Sequence, residues 1–303
     1  MTTSRVVAAE YAEQNLLPIR EVSRLTGVNP VTLRAWERRY GLIQPQRTLK
    51  GHRLYGEQQV MRIHEILNWL ERGVAVSQVR RLLQDPQTPL PPDNSLWTEE
   101  KRSWLKWIEQ LAEQQLDDSF NRTLALYPPE TLCQHLLLPL LEELRQRWNV
   151  LATARVEQVF FLSWLRSKLG ARLYHSNCQH SGSPLLLLSL SDQAMQPELW
   201  LCAWLASELG YPVRVLDWSI PARDIAMTIR LIAPLATLFY SDQRIAANDL
   251  QHLSDASACP QLLCGQAVYI HHDTLSERPH LHLADSPLSA LRCLQRLILI
   301  SGN

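Results

Sequence analysis

Three arginines and a threonine stand in one short segment, Asn29-Pro-Val-Thr-Leu-Arg-Ala-Trp-Glu-Arg-Arg-Tyr-Gly41. Guanidinium groups at this density suit phosphate oxygens and the acceptors on base edges. The segment also carries the signals of a helix. Asn29 is a good N-cap, Pro30 fits the first helical position, and Gly41 supplies the stop. Leu33, Trp36 and Tyr40 recur at helical spacing and are expected to face inward. Thr32, Arg34, Arg38 and Arg39 then remain for the outer faces. A short helix that is basic outside and apolar inside suits the major groove of DNA.

The flanking residues supply what must position that helix. Ile19 to Leu25 reads as a short amphipathic helix, and Thr26-Gly27-Val28 as the tight turn after it. The pair makes a helix-turn-helix in which the first helix buttresses the second. Ile43 to Tyr55 reads as a two-stranded wing with its turn at Lys50-Gly51, leaving Arg47, Lys50, His52 and Arg53 as donors beside the backbone. A helix over about 57–72 and a short one over 77–84 complete the domain.

Residues 17–84 resemble the winged-helix DNA-binding domain of the MerR family. The matching residues are Ile19-Arg-Glu-Val22, Thr32-Leu-Arg-Ala-Trp-Glu-Arg-Arg-Tyr-Gly-Leu42, Pro45-Gln-Arg-Thr48 and Gly51-His-Arg-Leu-Tyr55. The resemblance is greatest to the MlrA-like branch, which includes B12-dependent light-sensing repressors of the CarH type. It implies a transcription regulator that binds promoter DNA as a dimer and meets RNA polymerase there. Activation by distortion of a long promoter spacer, and control of surface or biofilm genes, are further implications. On this reading Arg20, Thr32, Arg34, Arg38 and Tyr40 contact DNA from the helix pair. Arg47, Lys50, His52, Arg53 and Tyr55 hold the backbone from the wing.

Charge placement agrees. The chain has 30 Lys+Arg against 30 Asp+Glu, yet residues 17–84 hold 12 against 5 and the remainder 18 against 25. A lobe at +7 beside a remainder at −7 fits one nucleic-acid-binding domain on an acidic body. The first sixteen residues are mixed and polar, no apolar run reaches membrane-span length, and the six cysteines are widely spaced. These features place the chain in a reducing cytoplasm with no membrane partner.

The expected organisation is multidomain, α and α/β. A flexible lead-in covers 1–16, the winged helix-turn-helix 17–84 and a Pro-rich linker 85–95. Four helices over about 98–115, 117–126, 129–149 and 153–175 would close a four-helix bundle within 96–178, with a kink at Pro139. From 183 to 303, apolar runs at 184–190, 212–217, 236–240 and 261–264, with a weak one at 268–270, alternate with helical stretches. That alternation predicts a Rossmann-like parallel sheet covered on both faces.

The architecture resembles that of the CarH-like regulators, which implies cobalamin. In that family the first strand is followed by a loop whose histidine ligates cobalt. Here Met195 falls at the histidine position and Glu198 at that of a glycine. Trp148 is followed by Glu157-Gln158 where the light-sensing members carry Glu-His, and Cys264-Gly265-Gln266 is a fragment of the phosphate-side loop. No cofactor is therefore expected, with cobalamin bound without a lower histidine as the alternative. A partner protein or another small ligand at the C-terminal domains is a further alternative. His271, His272, His280 and His282, with Cys259 and Cys264, match no zinc spacing and read as a polar surface. Dinucleotide, Walker and Gly-x-Ser-x-Gly motifs are absent, and the acid pairs Asp117-Asp118 and Glu142-Glu143 read as solvated helix faces, so no enzyme is expected.

Overall fold

The computed structural model describes residues 16–85, 95–150, 154–192, 195–255, 259–276 and 281–301. The expected flexible lead-in and Pro-rich linker lie almost wholly outside the described residues. The chain divides into two compact units, Met1–Ala154 and Arg155–Asn303.

The first unit opens with β1 (Leu17–Pro18), α1 (Ile19–Thr26) and α2 (Pro30–Ala35), the last continuing into a π-helical turn over Trp36–Tyr40. The hairpin β2 (Gln46–Arg47) and β3 (Arg53–Tyr55) follows, then α3 (Glu57–Glu71) and α4 (Val76–Gln84). The expected two-stranded wing gains a third strand, since β1 pairs antiparallel with β3, Leu17 opposite Tyr55. Val22, Leu33, Trp36, Ile63 and Ile66 are buried between these elements. The same unit contains α5 (Ser95–Glu109), α6 (Glu113–Leu124), α7 (Pro129–Leu132) and α8 (Leu138–Val150). The turn between α7 and α8, Cys133–Leu137, is π-helical. Pro139 has no N–H for the carbonyl four residues back, and its ring crowds that carbonyl. The widened turn just before it accommodates both.

The second unit begins with α9 (Arg155–Asn177), which packs on α10 (Pro197–Ser207). The helix expected as the fourth of a bundle is thus described with the sheet. β4 (Leu185–Ser189), β5 (Val213–Leu216), β6 (Ala236–Tyr240), β7 (Gln261–Cys264) and β8 (Leu281–Ala284) form a parallel sheet in the order β5-β4-β6-β7-β8. Leu186 and Leu188 point to one face, where they pack with Ile225 and Ile229 of α11 (Ala222–Ile232) and Leu250 and Leu253 of α12 (Ala247–Asp255). Against the other face lie α10 and α15 (Pro287–Ser301). α10 is buried on every side from Glu198 to Ser207, which explains its lack of a polar stripe.

Two expectations are corrected here. Val268-Tyr269-Ile270 is not a strand; it lies in a short helix, α13 (Ala267–Ile270), followed by α14 (His272–Ser276). Instead, the fifth strand is β8, in the stretch read as a polar surface. Three apolar residues carry too little periodicity to separate a strand from one helical turn. β8 is ordered by pairing along β7, Gln261 opposite Leu281, which local sequence does not reveal.

Candidate nucleic-acid interface

Asn29 accepts the Val31 N–H at 2.8 Å, and Gly41 ends the helix in the left-handed region at φ 58°. Between these caps Leu33 and Trp36 are fully buried, while Arg34, Arg38 and Arg39 are exposed. Three guanidiniums therefore stand on the solvent side of a helix whose inner side is core. Arg20 on α1 is also exposed. The wing turn is closed by Gly51 N–H donating to the Thr48 carbonyl at 2.8 Å and Thr48 N–H to that of His52 at 2.9 Å. Lys50 and His52 are exposed on it. Leu49, at 100% exposure, stands beside them at the tip. Leu49 was not singled out by the sequence; an apolar residue two positions before a hairpin glycine is the signal it carried.

Wing and helix are joined by Glu37. Its carboxylate takes a hydrogen bond from Arg47 Nη2 at 2.7 Å and another from Arg53 Nε. Burial opposes ionisation of this carboxyl, but the Arg53 and Arg47 guanidiniums outweigh it and hold it below the usual carboxylate range. Arg53 is half-buried and engaged, so its geometry suits positioning of the wing as much as contact with phosphate. Nothing in the local pattern marked Glu37, because its partners lie 10 and 16 residues away.

Two residues leave the expected contact set. Thr32 is 1% exposed, its hydroxyl 3.4 Å from the Leu124 carbonyl, because α6 ends against this side of α2. Tyr55 is fully buried on β3, and burial, with the Glu37 carboxylate, raises its phenol to about 12. A neutral phenol inside the domain reaches no phosphate. Tyr40 is half-buried at the end of the π-helical turn.

The Glu37 bridge makes a prediction against simple charge counting. Glu37→Gln raises the net charge of the lobe by one, which alone would tighten DNA binding. The expected result is the opposite, a loss of about fivefold in a fluorescence-anisotropy titration, because the wing loses its tie to the helix. Tighter binding would mean that the Glu37 bridge does not position the wing and that net charge governs affinity.

With this geometry in view, comparison with known proteins is direct. A family of MerR HTH regulatory proteins matches residues 17–85. The HTH-type transcriptional regulator MlrA of Escherichia coli (strain K12) is 32% identical over 206 residues, 68% of this chain and 81% of that protein. This chain belongs to the MerR family of transcriptional regulators. Another relative of this MerR protein is the HTH-type transcriptional repressor CarH of Myxococcus xanthus, 26% identical over 229 residues, 71% of this chain and 75% of the relative. A crystal structure of a cobalamin-binding protein from Desulfitobacterium hafniense DCB-2 aligns over 66% of this chain and 98% of its own, with 9% identity and a TM-score of 0.32.

In the second unit of this MerR protein, the carboxyl end of the sheet is packed with its own side chains. Gln196 is buried, its Oε1 taking the Ser189 hydroxyl at 3.2 Å, and Glu198 is buried beside it in sequence on α10. Gly265 is backed by Ser241 and Asp242. Of the expected polar histidine group, His271 Nε2 accepts the Ile245 N–H at 2.8 Å, His282 is exposed on β8, and His280 lies outside the described residues. No group of three or more metal-ligating side chains occurs among the described residues. Nor is any described helix long and apolar enough to cross a membrane.

Proposed function

We propose that this MerR-family regulator binds promoter DNA as a dimer and activates transcription by distorting the promoter for RNA polymerase. In this reading α2 enters the major groove, with Arg34 and Arg38 facing it and Arg20 at its margin. Arg47, Lys50 and His52 grip phosphates from the wing. The observation that carries it is this row of exposed cations on the helix pair and wing. Phosphate contacts supply affinity and register, and the few base contacts supply sequence choice. Surface or biofilm genes are the target class suggested by the resemblance to the MlrA-like branch.

Selection of duplexes from a random-sequence pool tests this proposal. A two-fold dimer selects an inverted repeat, with affinity falling steeply as salt rises. A single unrepeated site, or salt-independent binding, would remove the dimeric groove reading.

For the second unit, the residues do not fit a corrin held by a lower histidine. No imidazole lies between Ser191 and Glu198, Met195 is half-buried, and Gln196 and Glu198 are buried, Gln196 against the Ser189 hydroxyl. A regulatory unit that meets a partner protein is the second reading. α11 favours it, since Met227 and Leu231 stand exposed one turn apart on its outer face.

A further inference from the structure

A cleft of about 240 Å³ opens within the first unit, where the start of α4 meets α5 and the end of α6. Its walls are largely aromatic. Trp97 and Tyr127 meet edge to face, their ring centroids 4.8 Å apart, and Tyr40 and Leu96 complete the apolar lining. The rings are pinned by their polar atoms. The Trp97 indole N–H donates to the Gly73 carbonyl at 3.0 Å, and the Val76 N–H donates to the Tyr127 hydroxyl at 3.1 Å. A cleft whose rings are already held gives up little side-chain entropy when a ligand enters.

Two opposite charges belong to the same lining. Glu100 Oε1 accepts the Ser119 hydroxyl and lies 3.4 Å from the Trp104 indole nitrogen. Arg122 Nη2 stands 3.7 Å from that oxygen, beyond the reach of about 2.7–2.9 Å typical of a charge-assisted hydrogen bond. The Arg122 guanidinium is exposed, and an ion pair so loose and so wet does little to hold the chain together. Glu100 Oε2 and the rest of the guanidinium take no hydrogen bond among the described residues. From an acid and a base side by side in an aromatic cleft, we infer a binding site for a small zwitterion, an α-amino acid with an apolar side chain. Its carboxylate meets the Arg122 fork, its ammonium meets Glu100 Oε2, and its side chain lies against the rings. An α-amino acid carries its charges on either side of one carbon, so it exchanges one loose ion pair for two closer ones. A ligand with a carboxylate alone faces Glu100 unpaired, and one with an ammonium alone faces Arg122. The cleft is smaller than the roughly 300 Å³ at which sites for drug-sized ligands begin, so the ligand is small.

No DNA enters the test. Full-length protein is titrated calorimetrically with L-phenylalanine and L-leucine, beside phenethylamine and hydrocinnamate as the single-charge counterparts of phenylalanine. At least one amino acid is expected to bind with a Kd of about 10 μM to 1 mM. Each single-charge counterpart should bind about tenfold more weakly than phenylalanine, or worse. Arg122→Gln changes an exposed side chain, should weaken amino-acid binding about tenfold, and should bring phenylalanine level with phenethylamine. Hydrogen exchange places the ligand, because the amides of Val76, Ser77 and Trp97 should slow when it is present. No binding of either amino acid at about 10 mM would overturn the site. So would equal binding of the three phenyl compounds, undiminished binding by Arg122→Gln, or slowed exchange confined to other amides.

Discussion

Arg34→Ala is expected to lower affinity for the selected operator about tenfold to a hundredfold. Mixed-sequence duplexes should suffer much less. Arg34 sits on the exposed side of α2, one residue from fully buried Leu33, and makes no ion pair among the described residues. Its backbone is held by the Asn29 cap and the core, and its guanidinium is uncommitted. A bidentate pair with a base is worth about 1–3 kcal/mol of discrimination, which sets the range. Arg38→Ala, one turn later, should weaken all sequences alike and reduce the salt slope by about one, as expected of a phosphate contact. Equal losses on operator and mixed DNA for Arg34→Ala would reassign it to the backbone.

The second large effect is on stability. Gly265→Ala should destabilise the second unit by about 2–5 kcal/mol, seen as an earlier thermal or urea transition that leaves the winged helix folded. Gly265 lies at φ 105°, where an L side chain is strained. A Cβ there would stand 2.4 Å from the Ser241 carbonyl oxygen and 3.0 Å from Asp242 Oδ1. Neither can move cheaply. The Ser241 carbonyl accepts the Ala267 N–H at 3.0 Å, and Asp242 Oδ1 accepts the Tyr240 hydroxyl at 2.9 Å and the Gln266 N–H at 3.2 Å. This glycine, read from the sequence as the remnant of a phosphate-side loop, serves the packing of its own chain. A variant with an unshifted transition would show that the loop relaxes outward.

Much of the winged helix was legible because its signals are local. Asn29, Pro30, Gly27 and Gly41 act within one turn of themselves, and the spacing of Leu33 and Trp36 reports the inner face. Ala236–Tyr240 is a strand as its apolar run predicts. What escaped was set at long range. Thr32 looked like a surface threonine on a helix that still had an open flank; it is buried because Leu124, 92 residues later, arrives there. Tyr55 and Leu54 sit on β3 between two partners, and one of these, Leu17–Pro18, is too short to announce itself as a strand.

The residue types alone therefore determined that this chain carries a basic, capped helix-turn-helix on an acidic body, and that no histidine stands in the loop after the first strand of its second unit. Periodicity, capping and charge are properties of neighbouring residues, and they survive without a fold. Only the tertiary structure decided which of the expected contacts remain available: Arg34 and Arg38 free, Arg53 tied to Glu37, Thr32 covered and Tyr55 inside. Whether a side chain meets water, DNA or its own chain depends on which distant element lands beside it, and that pairing is settled by packing across the whole unit.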